Sequence, residues 1–154
     1  NNPKPTDVYN EILKPVFHHL HQSFEEGNVT FDLVAKSDSL FSNIDPFAVE
    51  QLLIHVIDNA LKFTAEGHVL IVADKNASGN AVIKIEDTGV GMGEEYLQKL
   101  YTPFAQEDQG YSRSYEGNGL GLALVKKYCE LNEIKIEVAS KKRIGTNFTL
   151  TFPK

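Results

Sequence analysis

Ala81-Val82-Ile83-Lys84-Ile85-Glu86-Asp87-Thr88-Gly89-Val90-Gly91-Met92 is the stretch from which the rest of the chain can be read. Its first seven residues alternate with period two, as a β-strand does. Val82, Lys84 and Glu86 share one face of that strand, while Ile83, Ile85 and Asp87 share the other. Asp87 is therefore expected to point into a core with the isoleucines, where a carboxylate is costly unless donors reach it. Two glycines spaced two apart then turn the chain and let backbone come close to a flat partner. A buried acceptor beside bare backbone suits a planar ligand with an amino edge, and adenine has that shape. The same residues also fit a plain strand ending in an Asp-Thr-Gly turn.

Outward from this stretch, alternation predicts further strands at Val29–Leu33, His68–Asp74, Ile134–Val138 and Phe148–Phe152. Ala77-Ser78-Gly79-Asn80 reads as a hairpin turn and Lys141–Gly145 as a second connection. Helices are expected from a Thr6 or Asp7 cap through Phe24, from Asp45-Pro46 to about Phe63, and over Leu120–Leu131. Pro15 should kink or restart the first helix. A short helical pattern covers Glu94–Leu100, inside a long glycine-bearing connection from Thr88 to Asn118 of the kind that serves as a lid. The elements predict an α+β fold, a two-layer α/β sandwich whose mixed, mostly antiparallel sheet is covered on one face by three helices.

The chain has 154 residues, 42% of them hydrophobic, which is enough for one core. A net charge of −6 excludes a nucleic-acid-binding surface, so an anionic ligand needs a local device. One cysteine, Cys129, rules out an internal disulfide and fits a reducing compartment. No run is long and apolar enough to span a membrane, so no direct membrane contact is expected. The only methionine is Met92, as in a piece cut from a longer protein. Asn1–Pro5 reads as a linker remnant and residues 6–154 as the domain proper.

Two constellations carry chemistry. On the second helix Gln51, His55, Asn59 and Lys62 line one polar stripe. The Asn59 amide oxygen suits Mg²⁺, Lys62 offers a charge to phosphate, and His55 can accept a proton or position water. A solvated helix face would look the same. Gly117-Asn118-Gly119-Leu120-Gly121 opens the third helix, where free N–H groups and the helix dipole attract phosphate. No P-loop or dinucleotide fingerprint is present. His18 and His21 lie one turn apart but no third ligand is evident, so with His19 they read as a solvated helix face.

Four ordered motifs, Asn59-Ala60-Leu61-Lys62-Phe63-Thr64, Asp87-Thr88-Gly89-Val90-Gly91-Met92, Pro103-Phe104-Ala105-Gln106 and Gly117-Asn118-Gly119-Leu120-Gly121-Leu122, resemble the N, G1, F and G2 boxes of the ATP-binding catalytic domain of sensor histidine kinases, within the Bergerat-fold ATPases. The resemblance spans about residues 7 to 153 and implies ATP and Mg²⁺ as ligands. It implies that Asn59 holds Mg²⁺ and Asp87 accepts from the adenine amino group, with Gly89, Gly91 and Met92 forming the turn beside the base. Lys62 and Phe63 would flank the nucleotide. Phe104 would anchor the lid, Arg113 would reach the phosphates, and Gly117, Asn118, Gly119, Leu120 and Gly121 would wrap them. Thr146 would sit near adenine through water. His55, Lys62 and Arg113 would be the catalytic groups.

The resemblance also implies departures and partners. His55 stands where these kinases often have asparagine and where ATP-hydrolysing relatives carry glutamate, which favours phosphoryl transfer. Asn118 replaces a frequent threonine, and Ala48 a common arginine. The acceptor-histidine helix is missing, so its dimerisation domain is the expected direct partner and a response regulator an indirect one. A cytoplasmic location, a monomeric isolated domain and a homodimeric parent are expected. An ATP-sensing module without transfer, and an ATPase or serine kinase of the same fold, remain alternatives.

Overall fold

The computed structural model describes residues 1–24, 27–90 and 120–154. The chain forms β1 (Lys4–Asp7), a π-helical segment (Val8–Leu13), α1 (Lys14–Ser23), β2 (Val29–Ala35), β3 (Phe41–Ile44) and α2 (Pro46–Lys62). β4 (Gly67–Lys75), β5 (Ala81–Asp87), α3 (Leu120–Leu131), β6 (Lys135–Lys141) and β7 (Gly145–Thr151) follow. The main sheet has the order β2-β4-β5-β7-β6. Among the described strands only the β2–β4 pair is parallel, so the sheet is mixed and mostly antiparallel, as expected.

Alternation along each strand gives the sheet one buried face. Register carries three rows of side chains across it. One row is Leu33, Ile71, Ile85, Phe148 and Val138, and the next is Ala35, Ala73, Ile83, Leu150 and Ile136. The third row begins as Phe31 and Val69 but continues as Asp87, Thr146 and Ser140. The apolar core therefore ends at this row, at the carboxyl end of β5.

The helices lie on the buried face. α2 starts where Asp45 caps it, the carboxylate accepting from the Phe47 N–H at 3.0 Å, with Pro46 at a first-turn position that needs no donor. Val49, Leu52, Leu53, Val56, Ile57 and Ala60 form its buried stripe. Truncating Leu53 there would cost about 2–5 kcal/mol, the usual range for a cavity left in a packed core. α3 contributes Val125 and Cys129 to the same core, and burial pushes the Cys129 thiol up to about 12. Pro15 marks a restart, because the π-helical segment gives way to α1 at Lys14.

The first residues depart from the linker expectation. Lys4 and Pro5 belong to β1, which pairs antiparallel with β3 in a separate two-stranded ribbon. Four-residue strands are too short to show a period, and their partner lies about forty residues away. A polar knot sits at the opposite end of the helix pair from the third row. Asn132, buried just past α3, accepts the Asp45 N–H at 2.8 Å and donates to the Tyr128 carbonyl at 2.9 Å. Glu133 follows with φ of 56°, in the left-handed turn that ends the helix.

Asp7 joins the ribbon to the core. Its carboxylate accepts from the Leu40 N–H at 3.0 Å, the Asn10 N–H at 3.2 Å and the Asn10 side-chain amide at 2.7 Å. Burial pushes this carboxyl up, but those donors outweigh it and leave it below the ordinary value. Asp7→Ala is expected to lower the unfolding free energy at pH 7 by about 2 kcal/mol in urea titrations, from the lost cap and an orphaned buried N–H. The sign of the shift sets the pH window. The part of the penalty that comes from the carboxylate's charge is full above the unfolded value of about 3.9 and is lost as pH falls through the lower folded one.

Candidate functional site

The third row of the sheet supplies the site. Asp87 is 8% exposed and points with Ile83 and Ile85, as its strand parity requires. Its carboxylate accepts the Gly89 N–H at 2.8 Å and the Thr146 backbone N–H. Burial pushes the carboxyl above the ordinary range; the two N–H groups and nearby His68 pull it back without offsetting the whole effect. The result is a strong, directed acceptor short of donors, at the edge of the core.

The turn after Asp87 is locked against the end of α2. The Val90 N–H donates to the Phe63 carbonyl at 3.2 Å. A Cβ on Gly89 would lie 2.3 Å from that carbonyl oxygen, 2.9 Å from Thr64 Oγ1 and 3.0 Å from Asp87 Oδ1. Thr64 is itself held, its hydroxyl donating to the Ala60 carbonyl at 2.8 Å. This close approach brings the end of α2, at Phe63 and Thr64, beside the Asp87 turn. From the other side Arg143, at the tip between β6 and β7, donates its backbone N–H to the Val90 carbonyl at 2.6 Å. Gly145, with φ of 145°, lets that hairpin in, since a Cβ there would meet the Asp87 carbonyl oxygen at 2.0 Å.

Thr146 sits directly opposite Asp87 and is 1% exposed. Its hydroxyl lies 2.7 Å from the hydroxyl of Ser140, which also donates to the Gly145 carbonyl at 3.0 Å. His55 and Asn59 are half-buried on α2. Lys62 is exposed and paired with Asp58 at 3.0 Å, one turn back on the same helix. A surface pair of this kind is worth about 0.3–0.5 kcal/mol, so it can yield to a phosphate. Leu120 and Gly121 belong to the first turn of α3. Gly91, Met92, Phe104, Arg113, Gly117, Asn118 and Gly119 lie outside the described residues, as does the Glu94–Leu100 helical pattern.

A cavity of about 490 Å³ opens at the same end of the sheet, lined by Glu86, Asp87, Lys141 and Asn147 among others. Glu86 and Asn147 have the opposite strand parity to Asp87, so this space lies mainly on the face away from the described helices. It shares the Asp87 strand with the site but is not the cleft between Asp87 and α2. Sequence reading missed Asp58, Thr64 and Ser140. The i,i+4 spacing of Asp58 and Lys62 was a usable signal for the first; the other two depend on chain segments meeting in three dimensions.

Residues 44–154 match the family of histidine kinase-, DNA gyrase B- and HSP90-like ATPases. A sensor-like histidine kinase of Rhizobium meliloti (strain 1021) is 39% identical over 134 residues, which are 86% of this chain and 25% of that protein. The sensor histidine kinase RcsC of Escherichia coli (strain K12) is 36% identical over 112 residues, 72% of this chain and 12% of that one. The chain thus spans a quarter or less of these relatives. Among solved structures, the nucleotide-free catalytic domain of the histidine kinase ThkA superposes with a TM-score of 0.80 at 20% identity, covering 100% of this chain and 97% of that one. Full-length ShkA, solved with AMPPNP, gives 0.77 at 24% identity over 98% of this chain and 31% of that one. At these identities the likeness concerns the fold.

Gly89→Ala is expected to destabilise the domain by about 2 kcal/mol, because the atom in the way is a main-chain carbonyl that cannot swing aside. Thermal melting reads this directly; an unchanged melting temperature would mean the turn is not seated on Phe63 as described.

Proposed function

The chain belongs to the histidine kinase-, DNA gyrase B- and HSP90-like ATPase family, and from that premise we propose that it is the ATP-binding catalytic domain of a sensor histidine kinase. It binds Mg-ATP and passes the γ-phosphoryl group to a histidine nitrogen on a separate dimerisation domain, with ADP leaving. The observation that carries the reading is the buried Asp87 carboxylate, raised above its ordinary range beside the turn that Gly89 seats on the end of α2. An amino group on a flat base would supply the donor that this acceptor lacks.

Each remaining residue has a role in this reading. Phe63, with Gly91 and Met92, borders the base, and Thr146 meets it through water. Lys62 leaves Asp58 for the phosphates, which Arg113 and the N–H groups of Gly117–Gly121 also hold, with Asn118 and Leu120 in that loop. Phe104 anchors the lid. His55 accepts a proton or positions water. Catalysis is then positioning and charge neutralisation.

Asn59 would hold Mg²⁺. Among the described residues no group of three or more His, Cys, Asp or Glu side chains is arranged for a metal. A single amide oxygen fits an ion that keeps most of its shell as water and phosphate oxygen, and the bound ion would neutralise developing charge. No helix among the described residues is long and apolar enough to cross a membrane. The reading places the domain with its ATP in the cytoplasm, and its direct partner is the acceptor-histidine domain of a homodimeric kinase that serves a response regulator.

Asp87→Asn separates function from folding. A carboxyl raised above its unfolded value makes the fold gain stability as pH falls through the raised range, so its charge is a cost at neutral pH. The variant is therefore expected to keep its melting temperature at pH 7 while Mg-ATP affinity in calorimetry falls ten- to a hundredfold, the usual worth of a charged hydrogen bond. Activity is tested by mixing the chain and labelled ATP with an acceptor-histidine segment. Label should appear on the segment and not with Asp87→Asn. Binding without transfer would leave an ATP-sensing module; steady hydrolysis without acceptor would point to an ATPase.

A further inference from the structure

The hairpin between β6 and β7 ends in Lys141, Lys142 and Arg143, consecutive and exposed, in a chain whose net charge is −6. The fold sets this tip beside Asp87. The Arg143 N–H meets the Val90 carbonyl at 2.6 Å, Gly145 seats the hairpin on the Asp87 carbonyl, and Lys141 lines the same cavity as Asp87. Among the described residues neither Lys141 nor Arg143 is paired with an acid. Glu86 and Asp87 offset part of the three charges, and the tip stays net positive. Arg143 also has φ of 71°, in the left-handed region that favours glycine, so its cation is carried at a cost in backbone strain.

We propose that Lys141, Lys142 and Arg143 form an electrostatic capture site for the polyphosphate of the nucleotide: they draw the anion to the Asp87 corner and speed its arrival, without gripping it once bound. This rests on the adenine-nucleotide reading above. The bound phosphates have Lys62 and the glycine-loop N–H groups, which act at contact distance, whereas the tip lies on the side of the base. A chain of net charge −6 otherwise repels incoming ATP. The inference needs only the positions of the charges, because their field reaches about 10 Å through water at 0.1 M salt, whatever rotamers they take. That length separates steering from net charge. Lys36, Lys75 and Lys135 stand at the other end of the sheet. Six strand residues at about 3.3 Å each put Lys75 about 20 Å from the level of Asp87, two screening lengths away.

The test is stopped-flow binding of ribose-labelled fluorescent Mg-ATP, with the AMP counterpart as the less charged probe. One variant combines Lys141→Gln, Lys142→Gln and Arg143→Gln, which keeps the backbone N–H at 143. A control of equal net charge combines Lys36→Gln, Lys75→Gln and Lys135→Gln. At about 20 mM salt the tip variant is expected to bind ATP about three- to tenfold more slowly, with dissociation unchanged and the control at the unsubstituted rate. The loss should be smaller for AMP and should close by about 0.5 M salt. An unchanged association rate in the tip variant, an equal fall in the control, or a loss that appears only in dissociation overturns the proposal. Should the combined tip variant not fold, Lys141→Gln alone is expected to slow ATP association about twofold at low salt, and an unchanged rate again overturns it. Failure of the underlying reading looks different: ATP would not bind the unsubstituted chain, or would bind Asp87→Asn equally well.

Discussion

A carboxylate held inside a protein must be met by donors, and Asp87 is met by the N–H groups of Gly89 and Thr146. Those two bonds dictate the surroundings. The first requires the chain to fold back within two residues, which seats the turn on the Phe63 carbonyl and admits only glycine at position 89. The second requires β7 to lie level with the end of β5, which brings the Asp87 carbonyl against Gly145. Three separate parts of the chain, the end of α2, the turn after β5 and the tip between β6 and β7, are thus drawn to one point. The two donors still do not repay the burial, and the carboxyl remains raised. That residual cost is what a ligand can relieve.

The sheet carries this site because its buried face is not uniform. Two rows of aliphatic and aromatic side chains build the core, and the third turns polar halfway across. A core residue at position 87 would have extended the packing by one layer and closed the cleft. Instead stability is drawn from α2, whose seven buried apolar positions cover the aliphatic rows, and from the polar knot around Asn132 at the other end of the helix pair. The domain stays firm away from the cleft and leaves one edge unsatisfied.

Much of this was legible in the residues. Period-two alternation placed β2, β4, β5, β6 and β7 within a residue or three, and Asp45-Pro46 gave the start of α2. The inward direction of Asp87 followed from strand parity alone. β1 and β3 did not, because each is four residues long and exists by pairing with the other. Thr146 came from a resemblance, whereas Ser140 had no linear signal at all: its meaning lies in a register that sets it beside Thr146. The ion pair of Lys62 with Asp58 is readable from their i,i+4 spacing. The motifs between 91 and 119 lie outside the described residues.

Cys129 gives the fold a built-in reporter. It sits on α3 with 1% of its surface exposed, and its thiol is raised to about 12. Alkylating reagents act on the thiolate, so in the folded chain they meet almost none of it, and the little there is cannot be reached. Modification must wait for α3 to lift from the sheet. The rate at which this one sulfur is trapped therefore measures how often the helix that begins at Leu120 detaches, and a ligand bridging α2 and α3 would slow that trapping without touching the sulfur.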